Sequence, residues 1–419
     1  MKHLSLFKTL LFTLGFTLIS CQADDGPQLY EEGTNEYVNQ WIYGQMKKYY
    51  YWSKGMPGYV DLSLDPKEYF EKLLNPSDPY SYAMHPSLPE TVPQNLRKRF
   101  GFDISYVEYQ GQSFGVILYV LSNSPAQNIG LHRGQLITSI AGTALTSGNF
   151  NTLYHGLVDS DHAQLQVVNY SAQSGFSAPQ GVNFLQGFTF SQSIPHHVIT
   201  TGNHKIGYLE VSHFDVGQAQ SFLQIFQEFK NQSINEMIID LRYNGGGDVS
   251  SATALSIILA PNIQSNDLFI EYEGNPNGGD VDQSFQEALE MNESQVGFEA
   301  LKSAHPSIQK LYVLCGKRTA SAAEIIINNL KPFMNVITIG EKTVGKDVAG
   351  FPITDDRIPG QQGWILEPAI YKLYNANHEG NYSLGIHPSI EADELQETEI
   401  FPLGDSRELL LKKALNTIE

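Results

Sequence analysis

From Lys205 to Gly340 the chain switches repeatedly between short β-branched runs and amphipathic stretches, and this alternation narrows the possible folds more than any other feature. Lys205-Ile-Gly-Tyr-Leu-Glu-Val211, Met237-Ile-Ile-Asp-Leu-Arg242, Leu311-Tyr-Val-Leu-Cys315 and Asn335 to Gly340 read as strands. Ala219 to Lys230, Ser250 to Leu259 and Ala320 to Leu330 read as helices between them. Strands joined through helices run parallel, with right-handed crossovers. The expected core is therefore α/β, a mixed and largely parallel sheet over residues 191–419. Residues 262–309 are polar and read as an insertion, and Asp405 to Ile418 as a closing helix.

Such a core leaves the first half of the 419 residues to be explained, and this length suits two to four units. Met1-Lys-His3 carries positive charge and Leu4 to Ile19 is largely apolar, too short to span a bilayer, so residues 1–20 read as a secretory signal. Leu18-Ile-Ser-Cys21 resembles a bacterial lipobox, which implies acylation of Cys21 and a lipidated tether over residues 21–33. Gln22-Ala-Asp-Asp25 resembles the acidic export tag of surface lipoproteins, pointing to the cell envelope and to an outer-membrane or surface location. With Cys21 acylated, Cys315 is left without a disulfide partner, and its apolar run marks it as a buried structural thiol.

Residues 34–92 read as an N-terminal helical unit. Tyr37, Trp41, Ile42, Met46, Tyr49 and Tyr50 recur at helical spacing, and Asp65-Pro66 signals the start of a second helix. Residues 93–190 change to alternating strands such as Ser113 to Val120 and Gln135 to Ile140. Between these two strands, Ser124-Pro-Ala-Gln-Asn-Ile-Gly-Leu-His-Arg-Gly134 resembles the short helix and glycine turn of a PDZ domain, although Gln135 stands where that family usually has aspartate. A PDZ-like unit would take an extended peptide along a sheet edge.

A net charge of −19 argues against a nucleic-acid partner and against adhesion to anionic lipid through a charged face. No His-Glu-x-x-His or comparable metal pattern is present, and no G-x-S-x-G elbow surrounds Ser321. Chemistry is expected beyond the carboxyl ends of the parallel strands. Three loops leave such ends: Gly245-Gly-Gly247, Gly316 to Ser321, and Glu341 to Lys346. They can bring a serine hydroxyl and a lysine amine together, and a desolvated lysine can serve as the base that activates a serine. Ser321-Ala-Ala-Glu324 also reads as a helix capping box, and Gly340-Glu-Lys-Thr-Val-Gly-Lys346 matches a phosphate-binding loop except that Asp347 stands where Ser or Thr should hold magnesium.

Asp240-Leu-Arg-Tyr-Asn-Gly-Gly-Gly247, Thr319-Ala-Ser-Ala-Ala-Glu324 and Gly340 to Lys346, with 25 residues from serine to lysine, together resemble the S41 serine peptidases, the C-terminal processing or tail-specific proteases. The resemblance extends over the helical unit and the PDZ-like insert. It implies Ser321 as nucleophile, Lys346 as general base, the Ala322 and Gly246 N–H groups as oxyanion hole, a polypeptide substrate recruited or gated by the PDZ-like unit, and no metal or other cofactor. Many members carry glutamine four residues after the lysine. Here that position is Gly350, and Asp347 follows the lysine directly. These departures motivate an alternative, a non-catalytic peptide-binding lipoprotein that keeps the fold.

Overall fold

A computed structural model describes residues 29–418 apart from 188–192, 293 and 398. The expected signal, Cys21 and most of the tether lie outside the described residues. Among the described residues the central sheet runs His196–Thr201, His204–Glu210, Glu236–Asp240, Lys310–Cys315, Asn335–Gly340, Ile390–Glu391. The first pair is antiparallel and every later pair parallel.

Strand periodicity divides the core in two. Met237 and Ile239 face one side, where helices Ala219–Asn231, Val249–Leu259 and Ala322–Asn329 bury Phe222, Phe226, Ile257 and Ile326 against them. Ile238 faces the other side, where helix Leu409–Ile418 packs Leu410, Leu411 and Ala414 over Tyr208, Leu314 and Ile339. Val249–Leu259 is buried from Ser250 to Leu259, its hydroxyls at Ser250, Ser251, Thr253 and Ser256 each donating to an acceptor within the fold. The Cys315 thiol is free and buried, which pushes its pKa up to about 12.

The expected insertion, residues 262–309, adds no strand to the central sheet, yet it is built structure and not a loose polar stretch. Residues 262–309 supply strands Leu268–Glu273 and Val281–Ser284 and helices Phe285–Glu290 and Phe298–Ser303. The strands join Tyr371–Tyr374 and Val348–Ala349 in a second sheet. Phe269, Phe285, Leu289 and Leu301 enter the main core. A few large side chains on the inward face suffice for this, so average polarity concealed it.

The PDZ-like unit is an antiparallel sheet, Phe102–Tyr109, Gln112–Val120, Leu136–Ile140, His162–Val168 and Gln180–Leu185, around its own apolar cluster. Helices Pro125–Asn128 and Phe150–Asp159 accompany it. The N-terminal helices Asn35–Tyr49 and Pro66–Leu73 are capped by Thr34 and Asp65. Their buried Ile42, Met46, Tyr69 and Phe70 share a core with Val348, Trp364, Leu366 and Ala369, and strand Tyr82–Met84 pairs with Ile365–Glu367. Among the described residues no helix is long and apolar enough to cross a membrane.

Candidate active site

The three expected loops meet at the carboxyl edge of the sheet and are tied together by hydrogen bonds. Ala320 N–H donates to Asn244 O at 3.0 Å, joining the serine loop to the glycine loop. Thr319 Oγ1 donates to Leu241 O at 2.8 Å, and Val344 N–H to Thr319 O at 3.0 Å. Asn244 Nδ2 in turn holds Val211 O at 2.9 Å.

Ser321 stands at the start of helix Ala322–Asn329 with φ 56° and ψ −120°. A non-glycine residue there is strained, and strain of this kind gathers at functional positions. The surroundings hold it in place. Gly246 lies so close that an added Cβ would stand 2.7 Å from Ser321 Cβ, so glycine is required.

Glu324 is the hub. It is fully buried, and its Oε2 accepts the N–H of Ser321 at 2.9 Å and that of Lys346 at 2.8 Å. Its Oε1 accepts Thr343 Oγ1–H and Gly345 N–H, both at 2.6 Å. The capping-box pattern thus has its carboxylate half here, and the same side chain also clamps the lysine loop. Two nitrogens bound to one oxygen are at most about 6 Å apart, within reach of a lysine side chain.

Lys346 Nζ and Ser321 Oγ are not hydrogen-bonded to each other. Among the described residues Lys346 Nζ has no hydrogen-bond partner, and it sits 5.6 Å from the centre of the Tyr80 ring. With Tyr80, Tyr82, Gly350 and Glu367 it lines a cavity of about 120 Å³. Burial pulls the lysine pKa below its ordinary range, while the Glu367, Asp78 and Glu324 carboxylates oppose this. Burial raises Glu367, against the pull of Lys346. Asp347, which the sequence places next to the amine, is buried and paired with Lys372 Nζ at 2.6 Å. It is not among the charges acting on Lys346. The missing glutamine also has a steric reason, since a Cβ at Gly350 would stand 2.1 Å from Pro368 O.

The expected oxyanion donors fare differently. Ala322 N–H has no acceptor among the described residues and lies beside Gly246, 3.2 Å from where a Cβ would be. Gly246 N–H is engaged, donating to Asn244 Oδ1 at 2.8 Å. Gly245 N–H has no described acceptor, and Gly245 lines a cleft of about 1290 Å³ beside Ala320 and Val344, facing Tyr119 and Tyr154 of the PDZ-like unit.

Three residues at the site escaped sequence reasoning in these roles. Glu324 was visible only as a helix cap. Glu367 lies in a strand whose pairing with Tyr82 no local pattern announces. His213 lines the large cleft and packs against Gly247, where an added Cβ would be 3.0 Å from its Cε1. Burial and then the nearby Arg97 lower the His213 pKa, and Asp215 opposes them. No helix follows Lys346, as a phosphate-binding loop requires; the short strand Val348–Ala349 follows instead. Among the described residues no group of three or more His, Cys, Asp or Glu could hold a metal.

Residues 205–392 match the model of peptidase family S41, and residues 37–82 match the peptidase S41 N-terminal domain. The carboxy-terminal processing protease CtpB of Bacillus subtilis is 23% identical over 327 residues, covering 75% of this chain and 60% of that protein. The chloroplastic C-terminal processing peptidase of Tetradesmus obliquus is 25% identical over 262 residues, covering 59% of this chain and 50% of that protein. The chain thus spans roughly half to three-fifths of the length of these relatives. A Bacteroides fragilis crystal structure assigned to the S41 proteases superposes with a TM-score of 0.71 at 25% identity, covering 94% of this chain and 98% of that one. The photosystem II D1 C-terminal processing protease shares the fold, with a TM-score of 0.53 at 17% identity, over 86% of this chain and 93% of that one. The two family models together cover more than half of the residues, and the chain belongs to peptidase family S41.

Proposed function

We propose that this protein is a serine endopeptidase that cuts unfolded or C-terminal polypeptide segments with Ser321 as nucleophile and Lys346 as base. The observation that carries this reading is the single Glu324 oxygen that holds the backbones of both residues. In the reaction a neutral Lys346 amine takes the Ser321 Oγ proton as Oγ attacks the scissile carbonyl. Ala322 N–H and a triple-glycine N–H receive the oxyanion. Gly245 N–H is free for this, whereas Gly246 N–H must first leave Asn244. The lysine then protonates the leaving amine, and water, activated by the same amine, hydrolyses the acyl-enzyme. The dyad forms when the four-carbon lysine stem swings from the Tyr80 cavity to Ser321. Substrate entering beside the PDZ-like unit is the natural trigger, which makes that unit a recruiter or gate. We place the protein in the cell envelope, lipid-anchored through Cys21.

Covalent labelling with a fluorophosphonate, followed by mass mapping, tests the assignment. Modification of Ser321 is expected, together with loss of unfolded-protein hydrolysis in Ser321→Ala. Hydrolysis retained in purified Ser321→Ala sinks it. Wild-type protein that binds peptides and never reacts would support the non-catalytic alternative.

His213 carries a second reading for the base, because its imidazole flanks the glycine loop while Lys346 Nζ is not bonded to Ser321. Labelling that is lost in His213→Gln and kept in Lys346→Ala would favour it.

A further inference from the structure

Three carboxylates act on the Lys346 amine, Glu367 most strongly, then Asp78 and Glu324. Two of them are already engaged. Glu324 accepts the N–H groups of Ser321, Gly345 and Lys346 and the Thr343 hydroxyl. Asp78 accepts Tyr50 Oη–H at 2.9 Å, the Ser81 hydroxyl, and the N–H groups of Tyr80 at 2.9 Å and Ser81 at 3.1 Å. Glu367 differs. Its carboxylate has no hydrogen bond or ion pair among the described residues, and Lys346 is the one charged group acting on it there. Lys346 Nζ is equally unbonded, with the Tyr80 ring as its neighbour. Amine and carboxylate line the same cavity of about 120 Å³. A charge taken out of water without a partner is unfavourable, and two of opposite sign offset one another.

The backbone under Glu367 is fixed from several sides. Glu367 stands opposite Tyr82 in Ile365–Glu367, the middle strand of a three-stranded sheet. Just beyond it, Ala369 N–H donates to Ser81 Oγ and Ile370 N–H to Ala349 O, both at 2.8 Å. The same segment shuts out a competitor. Pro368 O fills the space where a side chain at position 350 would begin, so nothing from Gly350 can reach the amine. Asp347 is paired with Lys372 and is equally out of play.

We infer that Glu367 is the positioning residue of Lys346: its carboxylate aims the amine and stabilises the ammonium formed when Ser321 gives up its proton. The inference rests on the peptidase reading and adds a residue to it. As Ser321 Oγ attacks the scissile carbonyl, its proton passes to Nζ, which becomes an ammonium. The ammonium then gives that proton to the departing amine. Glu367 exchanges no proton in either step. It acts on Nζ as the carboxylate of a serine triad acts on imidazole, holding the base and balancing its charge.

The test uses the full chain and kcat and KM measured across pH on an unfolded protein substrate. In Glu367→Ala, kcat at its high-pH limit should fall roughly tenfold to a hundredfold with KM little changed, the loss expected for one charge-assisted hydrogen bond. Glu367→Gln keeps an acceptor and loses the charge, so it should retain more of the limiting kcat while its rising limb lies at lower pH. Glu367→Asp should return the limb to the wild-type position and restore part of kcat. A second reading needs no turnover. Lys346 in Ser321→Ala is acetylated with isotope-coded acetic anhydride across pH and mapped by mass spectrometry, and its reactivity should rise at lower pH once Glu367→Gln is added. An unchanged limiting kcat in Glu367→Ala overturns the inference, and so does Lys346 labelling with the same pH course with and without the carboxylate. If Glu367→Ala fails to fold, the isosteric Glu367→Gln carries both readings. Hydrolysis that persists in Ser321→Ala would instead overturn the peptidase assignment, and the labelling would still show whether Glu367 holds the amine.

Discussion

Ser321 and Lys346, 25 residues apart in sequence, give their backbone N–H groups to the same carboxylate oxygen, Glu324 Oε2. Their separation is thus set by one side chain. In Glu324→Gln an amide NH₂ must replace one of two oxygens that each face two donors. We expect stability to fall by about 2–4 kcal/mol and kcat to fall further than the loss of folded protein explains. Urea unfolding, with labelling rates normalised to folded protein, checks this. Wild-type labelling in Glu324→Gln would show that the clamp is not needed.

The pH dependence of the rate has a defined sign. As the proposed base, Lys346 must be neutral to accept a proton, so activity is expected to rise as pH increases through its pKa. Burial lowers that pKa, so the rise comes below the ordinary lysine range. Glu367 favours the charged amine, so Glu367→Gln should move the rising limb to lower pH. Lys346→Arg should be inactive at every pH, because the guanidinium stays charged. Profiles of kcat/KM against pH for the three proteins decide the matter.

Restoring the family's glutamine should fail. A side chain at Gly350 begins 2.1 Å from Pro368 O, so Gly350→Gln has to displace backbone. We expect a stability loss of about 1–3 kcal/mol and no gain in kcat. A more active, equally stable variant would show that the backbone around Pro368 yields and that the steric reason for Gly350 is wrong.

Arg242 offers a test of stability rather than of chemistry. It is 2% exposed and pairs with Asp240 at 2.8 Å, Glu394 at 2.7 Å and Glu408 at 2.6 Å. Arg133 of the PDZ-like unit also pairs with Glu394. Arg242→Met leaves buried carboxylates short of a cation, and we expect a loss of about 3–5 kcal/mol in urea unfolding. The cluster is also acid-sensitive. The cations hold Glu394 down at about 2 against burial, so its contribution is present above the ordinary carboxylate range and disappears as pH falls towards 2.

How much of this was legible depended on how local each signal is. The parallel strands Glu236–Asp240, Lys310–Cys315 and Asn335–Gly340 announce themselves by unbroken apolar runs, because both faces are covered. The arrival of Ser321 and Lys346 at one edge followed from the alternation itself. The strand pair of Leu268–Glu273 with Tyr371–Tyr374 did not, because its partners lie about a hundred residues apart in sequence and each is short. Glu367 and His213 were invisible for the same reason. What matters about them is what they face, and a single chain read in order does not contain that. Asp347 shows the reverse error, since adjacency in sequence suggested a partner for Lys346 and the carboxylate turned instead to Lys372.

Tyr80 and Tyr82 come from the first hundred residues, yet they wall the chamber of an amine that follows more than 260 positions later. A fragment beginning at the central sheet would carry Ser321 and Lys346 and still leave the lysine amine open to water. The dry setting of Lys346 is therefore a property of the closed chain, acquired when Tyr82 docks on Glu367.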